Sequence, residues 1–278
     1  MRVAACQLSS ASDKEANLRA AIAALDQAAA AGADLAVLPE CVEYMGTPEG
    51  ARAVIEPLDG PTSQLFAARA RQHRMWVLAG SIRCTHESDD RAYNTSMLFN
   101  REGERVAVYR KLHLYDVEIP GRVSAKESAV VAGGTQIVNA DMEGIGLGLS
   151  ICYDIRFPEL YRLLTLRGAR VLLVPAAFTL YTGKDHWELL LRARAVENQC
   201  FVIAPGQIGS YMPGKACYGR SMIIDPWGVV LACAPDRNSV ITADLDFDAQ
   251  DRVRAELPVL ANRRPDVYDL RGTERSIS

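Results

Sequence analysis

Short, unbroken apolar runs alternating with segments of helical period restrict this chain more than any other feature. "VAACQL" at 3–8 and "DLAVLPE" at 34–40 read as strands, the second of the type buried on both faces. Between them, "SDKEANLRAAIAALDQAAAAGA" repeats Leu18, Ile22, Leu25 and Ala29 at helical spacing. Ser12 and Glu15 fit a capping box, and Gly32 suits the end of the helix. The pattern recurs: Thr62 caps a helix to about Arg74, "WVLAGSI" is a strand, and "TSMLFN" and "RVAVYRK" form a hairpin around Glu102 and Gly103. "GIGLGLSI" then leads through a cysteine turn into a helix opened by Pro158. Strand "RVLLVPAAF", helix "DHWELLLRARAVENQ" and strand "CFVIAPG" follow, then antiparallel strands in "YGRSMIIDPWGVVLACA" and "SVITADLD". The expected architecture is α/β, large sheets covered by helices. Segment 116–135 is the least periodic; it reads as a long loop, carrying Glu127, that walls a site.

With 278 residues, 49% of them hydrophobic, one large core and a single domain over 1–278 are expected. No run approaches the roughly 20 apolar residues that span a bilayer, and "MRVAACQLSS" is too short for a signal peptide, so the expectation is a cytoplasmic protein without a membrane partner. Seven cysteines are scattered without a C-x-x-C pair or a Cys/His cluster, against both a disulfide framework and a metal site. A net charge of -3 gives no general attraction to nucleic acid. The glycines at 144, 146 and 148 miss the dinucleotide fingerprint, whose third glycine falls on Leu149, and no phosphate loop is present, so no cofactor is expected.

In open α/β sheets, ligands bind outside the carboxyl ends of the strands. Three chemically suited residues close such runs: Glu40 after "LAVLP", Lys111 after "VAVYR" and Cys152 after "GLSI". Singly, each reads as a solvated strand-end charge or a packed thiol. Together they are a complete hydrolytic set, with a nucleophile, a carboxylate to move its proton and an ammonium for a developing oxyanion.

"LPE" at 38–40, "YRKLHLYD" at 109–116 and "CYDIRFPEL" at 152–160 closely resemble, in order, the three signature blocks of the nitrilase, or carbon-nitrogen hydrolase, superfamily. "HWELLLRARAVENQ", "DPWG" and "RRPDVY" resemble its Nit branch, of ω-amidases and deaminated-glutathione amidases, and "RRPDVY" with "KACYG" point to the latter. The resemblance implies an α-β-β-α four-layer sandwich and a homodimer, with a tail from about 257 to 278 contributing to its interface. It implies a metal-independent amidase that cleaves the terminal amide of a small carboxylate, such as deaminated glutathione or α-ketoglutaramate, through a cysteine thioester with release of ammonia.

Carried over by residue, Cys152 is the nucleophile, Glu40 the general base and Lys111 the cationic stabiliser. Glu127 orients Lys111 or the water, the Tyr153 N–H joins Lys111 at the oxyanion, and Arg156 grips the substrate carboxylate. Thr182 is expected at the substrate, among Tyr44, Phe178 and His186 on loops that line the pocket. Two readings keep the same set but cleave a nitrile or an N-carbamoyl group. Others are a Cys-His hydrolase with His113 or His186 as base, and a non-catalytic scaffold or redox-sensing thiol protein.

Overall fold

The computed structural model describes residues 1–86 and 90–267. In chain order the first half contains β1 (Arg2–Gln7), α1 (Lys14–Ala30), β2 (Leu35–Val37), α2 (Pro48–Ala53), α3 (Pro61–His73), β3 (Trp76–Leu78), β4 (Ile82–Thr85), β5 (Ala92–Phe99) and β6 (Arg105–Arg110). Next come β7 (Asp116–Ile119), β8 (Val123–Lys126), β9 (Val131–Ala132), β10 (Asn139–Met142), β11 (Ile145–Leu149), α4 (Pro158–Leu166) and β12 (Val171–Leu173). The chain continues with α5 (Leu180–Asn198), β13 (Phe201–Ala204), β14 (Ile208–Met212), β15 (Lys215–Tyr218), β16 (Met222–Ile224), β17 (Val230–Cys233), β18 (Ser239–Asp244) and α6 (Phe247–Glu256).

One sheet runs β18-β1-β2-β3-β5-β4, with β6 and β9 also paired to β5; the other runs β10-β11-β12-β13-β16-β17. At the heart of each lies a parallel triad, β1-β2-β3 and β11-β12-β13. Alternation along the strands sorts the core. Val3, Ala5, Val37 and Leu78 pack in one cluster with Leu147, Leu173 and Ile203 of the second sheet, whereas Ala4, Cys6, Ala36 and Val77 pack with Ala21 and Leu25 of α1 and Phe66 of α3. Leu164 of α4 and Trp187 and Leu191 of α5 join the cluster of the second sheet. Helices therefore cover the outer faces of two sheets packed face to face, the expected four layers.

Several local expectations are corrected. The first helix is capped by Asp13, whose side chain accepts from the Ala16 N–H, so the box built on Ser12 does not form. Thr62 lies inside α3 behind Gly60 and Pro61; its N–H and hydroxyl donate to Glu56. "WVLAGSI" is broken into β3 and β4 at Gly80, which takes φ +59 and approaches Pro39 so closely that a Cβ would lie 1.9 Å from the Pro39 carbonyl oxygen. The 116–135 segment is an ordered hairpin, β7 against β8, followed by a 3₁₀ turn at Glu127–Ala129 and then β9. Helix α5 begins at Leu180, so Thr182 and His186 sit on a helix and not on a loop.

Candidate active site

The two parallel triads end side by side. The Ile208 N–H donates to the Leu8 carbonyl at 2.8 Å and Gln207 Nε2 donates to the Glu40 carbonyl at 3.0 Å, stitching the strand ends of one sheet to the other. Over this seam lies a cavity of about 780 Å³ whose lining includes Glu40, Lys111, Glu127, Cys152 and Tyr153. Volumes of roughly 300–1,000 Å³ are typical of small-molecule sites.

Glu40 lies three residues beyond β2, turned inward by Pro39 and by Cys41 at φ +54. One oxygen accepts from Lys111 Nζ and from Asn94 Nδ2, both at 2.9 Å; the other accepts from the Ala177 N–H at 2.7 Å. Lys111, the residue after β6, donates also to Glu127 at 2.8 Å. Glu127 is fixed in turn by the Tyr115 N–H at 2.7 Å and by Asn94 Nδ2 at 3.3 Å. The charges are therefore held as carboxylate, ammonium, carboxylate, all largely withdrawn from solvent.

Cys152 opens a 3₁₀ turn, Cys152–Arg156, with φ +49. That left-handed conformation costs a non-glycine residue on the order of 1 kcal/mol or more, and it persists where surrounding bonds over-determine it. The Cys152 N–H donates to the Pro175 carbonyl at 2.9 Å. Asp154, fully buried, accepts from the Ile151 N–H at 2.8 Å, the Tyr109 hydroxyl at 2.6 Å and the His113 N–H at 3.0 Å, and meets His113 Nδ1 at 2.7 Å. This carboxylate ties the cysteine turn to the strand end that carries Lys111.

Burial is the largest influence on each charge. It pushes the Cys152 thiol well above its usual range; the Glu40 charge and the hydrogen bond to Glu40 push the same way, and Lys111 only partly opposes them. Burial alone would raise Glu40, but the Lys111 charge and the hydrogen bonds from Cys152, Lys111 and Ala177 carry it below the ordinary carboxylate range. Burial alone would lower Lys111, yet Glu127 and Glu40 hold it well above the ordinary amine range. The resting site is a neutral thiol beside an ionised carboxylate that an ammonium holds. A Lys ammonium has three N–H donors, and two directions are taken by Glu40 and Glu127.

The structure thus brings together Glu40, Lys111, Glu127, Cys152, Tyr153 and Thr182 around one cavity. Thr182 is buried on α5 with its hydroxyl 2.8 Å from that of Thr179. Phe178 lines the cavity, whereas Tyr44, His113 and His186 do not. Arg156 lies outside the lining, with its guanidinium 5.1 Å and 5.8 Å from the Phe178 and Tyr153 rings, both of which line the cavity, and 3.3 Å from His186 Nδ1. His113 is tied to Asp154 and stacked on Phe157 at 3.6 Å. The parts played by Asn94, the Ala177 N–H and Asp154 were not expected; Asp154 lies within the block "CYDIRFPEL", whereas Asn94 is one of three polar residues in "AYNTSMLF".

The carbon-nitrogen hydrolase family matches residues 2–255. The nitrilase and fragile histidine triad fusion protein NitFhit of Caenorhabditis elegans is 40% identical over 277 residues, 99% of this chain and 63% of that protein. The chain thus spans under two thirds of the fusion protein, whose crystal structure superposes with a TM-score of 0.89 over 97% of this chain and 66% of that one. A deaminated glutathione amidase of Synechocystis sp. is 41% identical over 264 residues, 94% of this chain and 97% of that protein. A mutant amidase of Nesterenkonia sp. AN1, 26% identical with a TM-score of 0.78 over 96% of this chain and 95% of that one, carries the acetamide moiety of fluoroacetamide covalently added at its active site cysteine.

Proposed function

The chain belongs to the carbon-nitrogen hydrolase family, in the Nit branch of the nitrilase superfamily, and from that membership we propose that it is a thiol amidase of deaminated glutathione acting through Cys152. The observation that carries the mechanism is the convergence of Cys152, Glu40 and Lys111 on one cavity, with Lys111 Nζ 2.9 Å from Glu40.

Cys152 Sγ attacks the amide carbonyl while Glu40 takes the thiol proton, so the thiolate exists only as the new bond forms. Lys111 Nζ and the Tyr153 N–H stabilise the oxyanion. Donors of this kind are worth about 3–4 kcal/mol each. Glu40 returns the proton to the nitrogen, the C–N bond breaks, the amine leaves and a thioester remains. Water then attacks; Glu40 takes its proton and gives it to the departing sulfur as the keto-acid is released. Glu127 keeps Lys111 oriented throughout, and Thr182 contacts the bound acyl chain. In deaminated glutathione the scissile nitrogen belongs to a cysteinyl-glycine unit, so the first product is that amine; a primary amide such as α-ketoglutaramate yields ammonia instead.

The relatives named as deaminated glutathione amidases favour the amide over the nitrile and N-carbamoyl readings, which share the same residues. Release of cysteinyl-glycine and α-ketoglutarate from deaminated glutathione by the purified protein, with no turnover of the matching nitrile, tests this; a preference for the nitrile overturns it.

The same reading places the protein in the cytoplasm as a homodimer. All seven cysteines are free, which suits a reducing compartment. Among the described residues no helix is long and apolar enough to cross a membrane. Exposed Leu189 and Val196 of α5 adjoin exposed Trp227 and Val229 of the β16–β17 turn, where Arg192 Nε donates to the Gly228 carbonyl at 2.9 Å. We assign the dimer to this face. The tail joins it through 257–263, where Gln199 Nε2 donates to the Leu257 carbonyl at 2.6 Å; residues 268–278 of that expected contribution, including Tyr268 of "RRPDVY", lie outside the described residues.

A further inference from the structure

The cavity is cationic in a protein of net charge -3: its lining carries Arg83, Lys111, Arg122, Lys126, Lys184 and Lys215 against only Glu40 and Glu127. Both carboxylates are committed to Lys111, and Arg83 is committed to Glu43 at 3.2 Å. The outer cations are different. Arg122 lies in the β7–β8 turn, Lys184 on α5 and Lys215 at the start of β15, so three separate elements each contribute an exposed cation to one mouth. Among the described residues neither Arg122 nor Lys215 forms an ion pair, and Lys184 has only its neighbour Asp185 at 4.0 Å, both more than half exposed. The Tyr181 ring, itself at the mouth, lies 5.5 Å from the Arg122 guanidinium and 5.7 Å from Lys184 Nζ. Like charges gathered from three elements, with Asp185 beside Lys184 as their one carboxylate partner among the described residues, repel one another unless a further anion sits among them.

We infer that Arg122, Lys184 and Lys215 form a distal subsite for a carboxylate on the amine, or leaving, side of the substrate. The inference rests on the amidase reading above and specifies which amides the site prefers. Direction follows from the order of events. The acyl part stays bonded to Cys152 after the first step, whereas the amine must depart through the mouth before water reaches the thioester, so the amine side faces the rim. Size agrees: about 780 Å³ exceeds what a five-carbon primary amide fills and accommodates a tripeptide-sized one. A guanidinium and an ammonium at the same aromatic ring, with Lys215 lining the same cavity, receive a carboxylate by charge-assisted hydrogen bonds while remaining hydrated enough to release it.

The test compares kcat/KM for deaminated glutathione with kcat/KM for the same molecule carrying its glycine carboxylate as a neutral carboxamide. The wild-type protein is expected to favour the carboxylate by about tenfold at low salt, with the preference shrinking as ionic strength rises. In the Arg122→Gln/Lys215→Gln double variant the ratio is expected to fall to within about threefold of one. Arg122→Glu is expected to reverse it, which separates loss of charge recognition from general damage. Equal wild-type rates on both amides overturn the subsite and leave the amidase reading standing. A wild-type preference that survives unchanged in both variants also overturns it. Absence of turnover of all three amides, the two compared and α-ketoglutaramate, removes the amidase reading itself and the subsite with it.

Discussion

At the scale of single residues, the account turns on where the protons rest. Glu40 is ionised and Cys152 is neutral, so the proton is passed during attack and no thiolate–ammonium pair is formed beforehand. Glu40→Gln removes the acceptor while preserving shape, and kcat is expected to fall by about 10²–10⁴-fold. The thiolate absorbance near 240 nm, taken as wild type minus Cys152→Ser, is expected to show no step below about pH 9; a step near pH 7 contradicts the neutral thiol. The acid limb of kcat/KM is expected below the ordinary glutamate value of about 4.3, because the Glu40 proton-binding equilibrium is displaced downward. The same displacement stabilises the fold above that pH, a contribution lost as pH falls through the lowered folded value. Lys111, displaced upward, contributes stability below the ordinary lysine value that is lost as pH rises through its own folded value. Glu40, Lys111 and Cys152 stood out in the sequence because each closes an apolar run, but singly each read as an ordinary charge or packed thiol, and it was the resemblance of the blocks that carry them to those of the nitrilase superfamily that joined them. The Ala177 N–H was not legible, since a backbone donor has no residue type, and Asn94 alone is indistinguishable from any polar residue in a strand.

At the scale of elements, the turns decide the geometry. Gly80 brings β3 against Pro39, immediately before Glu40, with no room for a methyl group. Gly80→Ala is expected to destabilise by at least about 1–3 kcal/mol in urea unfolding and to lower kcat together with it. Asp154 gathers four polar groups from the cysteine turn and the Lys111 strand end. Asp154→Asn retains volume but cannot accept from all of them, and a loss of about 2–4 kcal/mol is expected, with a fall in kcat larger than any change in KM. Parallel strands and their helices were readable because burial on both faces writes a continuous apolar run. The β7–β8 hairpin was overlooked although its signals are present: "DVEI" alternates polar and apolar positions and Pro120-Gly121 marks the turn, with Gly121 at φ +69, but each strand is only four residues long and alternates exposed and half-buried positions. The start of α5 was hidden, as "LYTGK" carries a glycine and a threonine whose places are fixed by packing: a Cβ on Gly183 would lie 2.4 Å from Tyr218.

At the scale of the whole molecule, two sheets meet so that strand ends distant in the chain share one cavity, a convergence no single segment announces. The exposed apolar face of α5 and the β16–β17 turn carries the proposed dimer. Sedimentation is expected to give twice the 30.4 kDa chain mass, and Trp227→Glu/Leu189→Glu is expected to give a monomer; a monomeric wild-type protein contradicts that assignment. The most direct test of the central claim is mass spectrometry of the protein quenched in acid during turnover of deaminated glutathione. The prediction is a keto-acid acyl group on the peptide containing Cys152, absent from Cys152→Ser, which is itself inactive. Steady turnover with Cys152 unmodified, and full activity in Cys152→Ser, would contradict it.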